Sequence, residues 1–340
     1  MTLFALIVAL LIEQLWPLPV QRAVLGPLRQ LAGALSSYFN GEQSHYGQVA
    51  WALAVVPFVV PCALLHYFLF LYGDAAALPA HVLMAVFDVV VLYFTLGFRQ
   101  ESHFFTDIHL ALRIKDLPHA RLLLAEWRGG QYEEADADEL ARLTIEQALV
   151  SAHRCVFGVA CWFVALGPAG AVGYRLARFL NDEWGARRDA GFDEFGQCAR
   201  QVFALIDWIP SRLTVLLFAI GGNFEDAVFC WRTQAMLWPD RGGAILVASG
   251  AGALGVKLGL VADEASASEA VDDARGESGE GAPSAPAASV RSSERAEIGV
   301  GSPANVDSMQ GTIGLVWRAL VGFMMLLALT TVAVWVGGCG

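Results

Sequence analysis

Three long apolar runs, each with at most one charged residue, constrain the fold of this 340-residue chain more than any other feature. They cover residues 50–72, 78–98 and 312–336. A helix needs about 20 apolar residues to cross a hydrocarbon layer of about 30 Å, and each run is long enough. Apolar residues make up 56% of the chain and charged residues 16%, whereas soluble domains carry roughly 25% charged residues. The sequence therefore predicts an all-α, polytopic integral membrane protein.

Shorter or interrupted apolar segments raise the predicted number of hydrophobic segments to about five to seven. Residues 2–19 lack the positive flank and cleavage site of a signal peptide, so they indicate a retained first membrane segment. Residues 155–174 and 202–221 are long enough but interrupted, and 244–260 is a weak segment rich in Gly and Ala. We expect some of these segments to be re-entrant or broken.

Polarity divides the chain into five consecutive stretches. These are N-terminal membrane helices at 1–98, a cytoplasmic helical region at 99–153, a membrane and re-entrant region at 154–260, a disordered acidic linker at 261–311 and a C-terminal membrane helix at 312–340. The linker holds ten Asp and Glu against three Arg, and it has too few large apolar residues to order itself. Outside the linker the charge is nearly balanced, and no basic patch indicates a nucleic-acid partner.

The distribution of Arg and Lys predicts which loops face the cytoplasm. Residues 99–142 and 175–200 are both rich in positive charge, yet one simple crossing cannot join two cytoplasmic loops. The conflict is resolved if residues 155–174 enter the membrane and return, with a helix break at Gly167 and Pro168. Positive residues in one external loop would explain the counts equally well.

The run "IDWIPSRLTVLL" places two charges inside an apolar segment. A charge at the bilayer centre costs about 2.5–3.5 kcal/mol on the translocon-insertion scale, so Asp207 and Arg212 require an explanation. Pro210 cannot donate a hydrogen bond to the preceding turn, which predicts a break or kink just after Asp207. We expect Asp207 and Arg212 to form an ion pair. The pair would either bind an anionic ligand, with help from Arg175 and Arg178 on one helix face, or be purely structural with Arg212 snorkelling.

Two weaker motifs favour structural interpretations. His103 and Asp107 lie one helical turn apart and a divalent metal is conceivable there, but His109 falls on another face, so a solvated amphipathic helix and no metal site are predicted. "GAGALGVKLG" contains GxGxxG without the preceding strand or the later acid of a dinucleotide site. Its glycines are predicted to serve close helix packing in the membrane, at Gly252, Gly255 and Gly259.

Four ordered blocks between about residues 100 and 260 resemble the CobD/CbiB and AmpE superfamily of bacterial inner-membrane proteins. "DWIPSRLT" is similar to its acid-or-amide, aromatic, aliphatic, Pro, small, Arg, Leu signature. "GPAGAVGYRLARFLND" is similar to its Gly-rich turn before a Tyr and a helix, "FDEFG" to the short run that follows, and "AGALGVKLG" to its small-residue segment. The resemblance implies a multi-pass inner-membrane protein.

The CobD/CbiB branch consists of adenosylcobinamide-phosphate synthases, which join a corrinoid carboxylate to an aminopropanol-type amine with ATP and Mg²⁺. That branch carries Glu-Asn-Thr-x-Asp-Gly where this chain has "SAHRCV", including Ser151, His153 and Cys155. The acid pair before its Pro-x-Arg is here Phe203 and Ala204. These departures predict that the synthase chemistry, with its ATP and Mg²⁺, has been lost.

The AmpE branch is more similar in "LIDWIPSRL" and "FAIGGNFEDAVFCW", and it implies a membrane sensor linked to β-lactamase induction and cell-wall recycling. We therefore expect an AmpE-like sensor or partner-binding protein without catalytic residues or cofactors. Its expected partners are the lipid bilayer and either an anionic small molecule or another membrane protein. The alternative is a divergent synthase of cobalamin biosynthesis that uses ATP and Mg²⁺. A transporter is disfavoured because no inverted repeat is detectable.

Overall fold

The structure, a computed structural model, describes residues 2–16, 25–38, 44–75, 77–185, 193–238, 241–259 and 296–337. Almost all of them are helical. The α-helices are α1 (Thr2–Leu15), α2 (Leu25–Tyr38), α3 (Ser44–Ala75), α4 (Ala77–Thr95), α5 (Phe98–Arg113), α6 (Leu117–Arg128), α7 (Ala137–Ala152), α8 (Gly158–Leu166), α9 (Pro168–Trp184), α10 (Asp193–Gly221), α11 (Phe224–Thr233), α12 (Arg241–Leu254) and α13 (Val306–Gly337). A π-helix, His153–Phe157, joins α7 to α8, and a 3₁₀ turn, Ala235–Leu237, follows α11.

Five helical stretches within the described residues are long and apolar enough to cross a bilayer. They are Gly47–Leu71, His81–Arg113, Ala137–Leu166, Gly196–Gly221 and Val306–Val334. Two shorter apolar helices, Thr2–Leu15 and Gly242–Leu254, bring the set to seven segments. Large apolar side chains such as Phe58, Leu64 and Phe68 are exposed on α3, as expected for a surface that lipid covers. The predicted all-α, polytopic membrane fold is confirmed.

Helices that are distant in sequence form two compact units. The first unit contains residues 1–100, 152–212 and 324–340, and the second contains 101–151 and 213–323. This grouping reflects contacts between residues and does not show which residues lie in a membrane. The division of the chain into five stretches therefore stays a prediction.

In the first unit, α9 packs against α3 and α4, and α4 also packs against α1. The core between α9, α2 and α3 is apolar and centres on Trp184, which is 1% exposed. The Trp184 indole N–H donates a hydrogen bond to the carbonyl of Ala32, 3.3 Å away. Burial of such a large aromatic with its polar atom paired fixes α9 against its neighbours.

The second unit contains a tight α11–α12 contact and a small sheet. A Cβ atom added to Gly252 would lie 2.4 Å from the Asp226 carbonyl oxygen, so only glycine allows the two helices to approach this closely. The strands are β1 (Val256–Leu258), β2 (Ile298–Gly299) and β3 (Ser302–Pro303), in the order β2-β1-β3. Strand β1 is antiparallel to β2 and parallel to β3.

The sheet corrects two predictions. The stretch Gly255–Gly259 is not a helix-packing motif, because Gly255 has a φ of 68° and ends α12, after which β1 begins. The linker predicted at 261–311 is ordered from residue 296 onward, where Ile298 is fully buried and pairs with Leu258. Long-range strand pairing, which composition does not reveal, orders this part. The rest of the predicted linker lies outside the described residues.

Candidate functional site

A π-helix interrupts the apolar stretch that leads into α8. The backbone N–H of Gly158 donates to the carbonyl of His153, one residue further along than in an α-helix. Single π-turns inside α-helices occur frequently at functional sites. His153, the first residue of the turn, is fully buried. The structure therefore draws attention to a histidine that the sequence marked only as a departure from the synthase pattern.

His153 and Tyr174 both bind the carboxylate of Asp207. The Oδ1 atom of Asp207 lies 2.9 Å from His153 Nε2 and accepts a hydrogen bond of 2.7 Å from the Tyr174 hydroxyl. Because an ionised carboxylate only accepts hydrogen bonds, Nε2 of His153 is assigned as the donor. Asp207 is 5% exposed and Tyr174 is 1% exposed. The three residues form one buried network on the π-helix, α9 and α10.

Glycine at position 158 makes room for the Tyr174 ring. A Cβ atom added to Gly158 would lie 2.2 Å from Tyr174 Cζ, far inside van der Waals contact. The Tyr174 hydroxyl can therefore reach Asp207, to which it donates its hydrogen bond.

Helix α10 runs through Pro210 without a break, so the predicted break is wrong, while the alternative of a kink there stays a prediction. Proline at this position leaves the carbonyl of Ile206 without its usual helical donor. The indole N–H of Trp162, on α8, donates to that carbonyl at 3.2 Å. The neighbouring helix thus replaces the missing hydrogen bond. By contrast, α8 ends at Leu166, and Gly167, with a φ of 67°, separates it from α9, which begins at Pro168.

Arg212 does not form the expected ion pair with Asp207. Its Nη1 atom donates to the carbonyl of Trp208 at 2.9 Å, and its guanidinium stacks 4.0 Å from the centre of the Trp208 ring. Asp207 instead faces α9 and the π-helix, where it finds two hydrogen-bond donors. The predicted pair is replaced by a His–Asp–Tyr network, because partners on other helices approach Asp207 more closely than Arg212 does.

The other predicted arginines lie near this network but bind different groups. Arg178 donates from Nη1 to the sulfur of Cys155 at 2.9 Å, and its Nε atom lies 3.5 Å from a carboxylate oxygen of Asp182. Arg175 lies beside Gly97, where an added Cβ atom would be 3.7 Å from its Nη2 atom. Neither arginine donates a hydrogen bond to the carboxylate of Asp207.

Arg154, the second residue of the π-helix, was not singled out by the sequence. Its guanidinium carbon lies 5.7 Å from the centre of the Phe203 ring, one turn before Asp207 on α10. It interacts electrostatically with both Asp207 and Tyr174. The residues of this candidate site that were missed from sequence are thus His153, Arg154 and Tyr174. Two features of the sequence pointed to them: "SAHRCV" stands where the synthases carry an acid-bearing run, and the Tyr matches the family pattern. The departures from the synthase pattern favoured a site without these residues.

The first unit contains a second buried His–Asp pair, between α3 and α4. His66 Nδ1 and Asp88 Oδ1 are 3.2 Å apart, and Asp88 is 2% exposed. The geometry does not make a hydrogen bond, and neither atom has another hydrogen-bond partner. The imidazole of His66 lies at the helix break, since an added Cβ atom on Gly167 would be 3.5 Å from His66 Nε2.

The described residues bring together no group of three or more His, Cys, Asp or Glu side chains able to hold a metal ion. Mg²⁺ usually keeps several waters and is held by one or two carboxylates together with substrate phosphates. The finding therefore concerns only a metal site built from three or more protein ligands.

These features define a class: a helical, multi-pass membrane protein with a buried network of ionisable groups at a π-helix. The family model described as "CobD/Cbib protein" matches residues 3–274. The "Cobalamin biosynthesis protein CobD" of Stutzerimonas stutzeri is 34% identical over 255 residues, which cover 74% of this chain and 80% of that protein. The chain belongs to the CobD/CbiB family.

Two further relatives carry the same name. The protein of Chromobacterium violaceum is 34% identical over 213 residues, which cover 63% of this chain and 64% of the relative. The protein of Rhodobacter capsulatus is 27% identical over 151 residues, 42% of this chain and 46% of the relative. No solved structure matches the chain.

Proposed function

We propose that this protein acts in cobalamin biosynthesis in the bacterial inner membrane, where it binds an anionic pathway intermediate beside the buried His153–Asp207–Tyr174 network, which positions the residues around it. The observation that carries the proposal is the buried network itself, which lies at a π-helix within the residues that the family model matches. Buried ionisable groups in membrane helices are usually functional. The names of the three relatives support the pathway.

Amide synthesis is the second candidate function. The extent of the family match favours it, because the matched residues include most of the chain. The reaction would join a corrinoid carboxylate to an amine and would require ATP and Mg²⁺. The sequence favours a binding role without this chemistry, since "SAHRCV" stands where the synthases carry their acid-bearing run.

An AmpE-like role in cell-wall or β-lactamase signalling has less support. It rests on the resemblance of "LIDWIPSRL" and "FAIGGNFEDAVFCW" alone, while the three relatives are all named for cobalamin biosynthesis. A sensor would bind another membrane protein through its helices. Cobalamin biosynthesis is therefore the better-supported function.

The test combines complementation with binding. The chain is expressed in a strain that lacks its adenosylcobinamide-phosphate synthase, and cobalamin production is measured. In parallel, the full chain is purified in detergent and dialysed against a corrinoid carboxylic acid, with Asp207→Asn as the site variant. Binding that Asp207→Asn weakens, without restored cobalamin production, supports the proposed binding role. Restored production establishes the synthase instead, and a protein that neither binds the corrinoid nor restores production refutes the cobalamin proposal.

A further inference from the structure

Arg154 differs from the other arginines of the first unit in how its guanidinium is satisfied. Most of those whose side chains are described form an ion pair or a hydrogen bond with an acceptor. These are Arg29 with Glu183, Arg99 with the Gln14 carbonyl, Arg178 with Asp182, Arg200 with the Gly185 carbonyl and Arg212 with the Trp208 carbonyl. Arg154 makes no hydrogen bond or ion pair with a described residue. Its contacts are the Phe203 ring and the electrostatic interactions with Asp207 and Tyr174.

The surroundings hold this guanidinium in place without using its N–H groups. Arg154 is half-buried and follows the fully buried His153 on the π-helix. The guanidinium carbon lies 5.7 Å from the centre of the Phe203 ring, within the range of a cation–π contact. Because such a contact uses the charge of the group and none of its hydrogen bonds, the five N–H donors remain for another acceptor.

The Asp207 carboxylate is not that acceptor, although it is close. Oδ1 of Asp207 already accepts from Tyr174 and pairs with His153. An arginine in an apolar helix that leaves its donors unused is costly to keep. Guanidinium groups match planar or tetrahedral oxyanions well, since they can donate two parallel hydrogen bonds to a carboxylate or phosphate.

We propose that Arg154 is the anion-binding residue of this site and that it recognises a carboxylate or phosphate group of the ligand. The inference rests on the proposed function, which it deepens by naming the chemical group that is bound. Arg154 donates to the oxyanion through its guanidinium N–H groups, while the Phe203 ring contacts the cation. The Asp207 network fixes the π-helix that carries Arg154, so Asp207 acts as a positioning residue.

The experiment measures binding to the full chain in detergent by equilibrium dialysis with three probes. These are a corrinoid carboxylic acid, the same corrinoid with that carboxylate converted to an amide, and inorganic phosphate. Arg154→Gln is expected to weaken binding of the acid at least tenfold and to leave binding of the amide unchanged. Arg154→Lys keeps a point charge without the fork and is expected to fall between them. Arg212→Gln is the matched control, because its guanidinium binds Trp208, and it should bind the acid as the wild type does.

Unchanged affinity of Arg154→Gln for the acid, or an equal loss in Arg212→Gln, overturns the proposal. Thermal melting of each variant identifies misfolding, and Arg154→Lys provides the answer if Arg154→Gln does not fold. A wild-type chain that binds neither corrinoid but binds phosphate in an Arg154-dependent way supports the anion site and refutes the cobalamin assignment. Failure of the wild type to bind any of the three probes overturns both.

Discussion

The two buried His–Asp pairs of the first unit have the same residue types and different chemistry. In one, Asp207 accepts from Tyr174 at 2.7 Å and lies 2.9 Å from fully buried His153. In the other, Asp88 and His66 are 3.2 Å apart without a hydrogen bond, and the His66 side chain is 29% exposed. A second donor, Tyr174, and the complete burial of the histidine distinguish the first pair.

The comparison shows that a buried acid in a membrane helix does not by itself indicate a strong interaction. A buried charge is stabilised only when good geometry and additional hydrogen bonds offset its desolvation. The Asp207 network meets that condition, and the Asp88 pair does not. The two pairs should therefore respond very differently to mutation.

Removal of Asp207 should have the largest effect. Asp207→Ala leaves His153 and Tyr174 buried without their acceptor, and loss of one partner from a buried pair typically costs about 3–5 kcal/mol. The measurement is SDS-induced unfolding in mixed micelles, with Asp88→Ala as the matched control. We expect Asp88→Ala to cost much less. Equal losses in the two variants would show that hydrogen-bond geometry does not separate the two pairs.

Gly158→Ala tests the network without removing any polar group. The new methyl would overlap the Tyr174 ring, which must then move and lose its hydrogen bond to Asp207. Overpacking of this kind costs about 1–3 kcal/mol. Gly173→Ala is the control, because its Cβ would make an ordinary 3.6 Å contact with Val59. A thermal melt should show Gly158→Ala alone to be destabilised; two equally stable variants would mean that Tyr174 has room to move.

The hydrogen bond from Trp162 to Ile206 should be worth less, about 1 kcal/mol, because it is a single neutral interaction. Trp162→Phe removes the donor that replaces the N–H missing at Pro210. Pro210→Ala restores a backbone donor within α10. In that background, Trp162→Phe should cost clearly less than in the wild type. Additive losses in this double-mutant cycle would contradict the compensation between α8 and α10.

The sequence revealed the features that depend on local chemistry. Apolar length predicted the membrane segments, and Gly167 next to Pro168 marked the place where α8 gives way to α9. Pro210 has an equally local signal, but a tryptophan 48 positions earlier supplies the missing donor, so the helix continues. A hydrogen bond between distant segments overrides a local preference, and no pattern around Pro210 indicates it.

The same limit applies to the site. Asp207 stood out from sequence because its charge is costly in an apolar run, but its partner was expected five residues away at Arg212. The actual partners are 54 and 33 positions distant in sequence. The π-helix also changes which side chains face α10, and no periodicity predicts a π-turn. The existence of a buried acid was therefore predictable, and its chemistry was not.

The smallest effect is expected from neutralising the second pair completely. The double variant His66→Leu with Asp88→Leu removes two polar groups that lack hydrogen bonds and replaces them with apolar groups of similar size. Replacing a buried ion pair in this way is often neutral or stabilising. We expect the free energy of SDS-induced unfolding to lie within about 1 kcal/mol of the wild-type value. The double variant loses the ion pair, but it also loses the desolvation cost of the buried Asp88 carboxylate. A loss as large as that of Asp207→Ala would show that His66 and Asp88 are held by an interaction as strong as the Tyr174 network, and the contrast between the two pairs would fail.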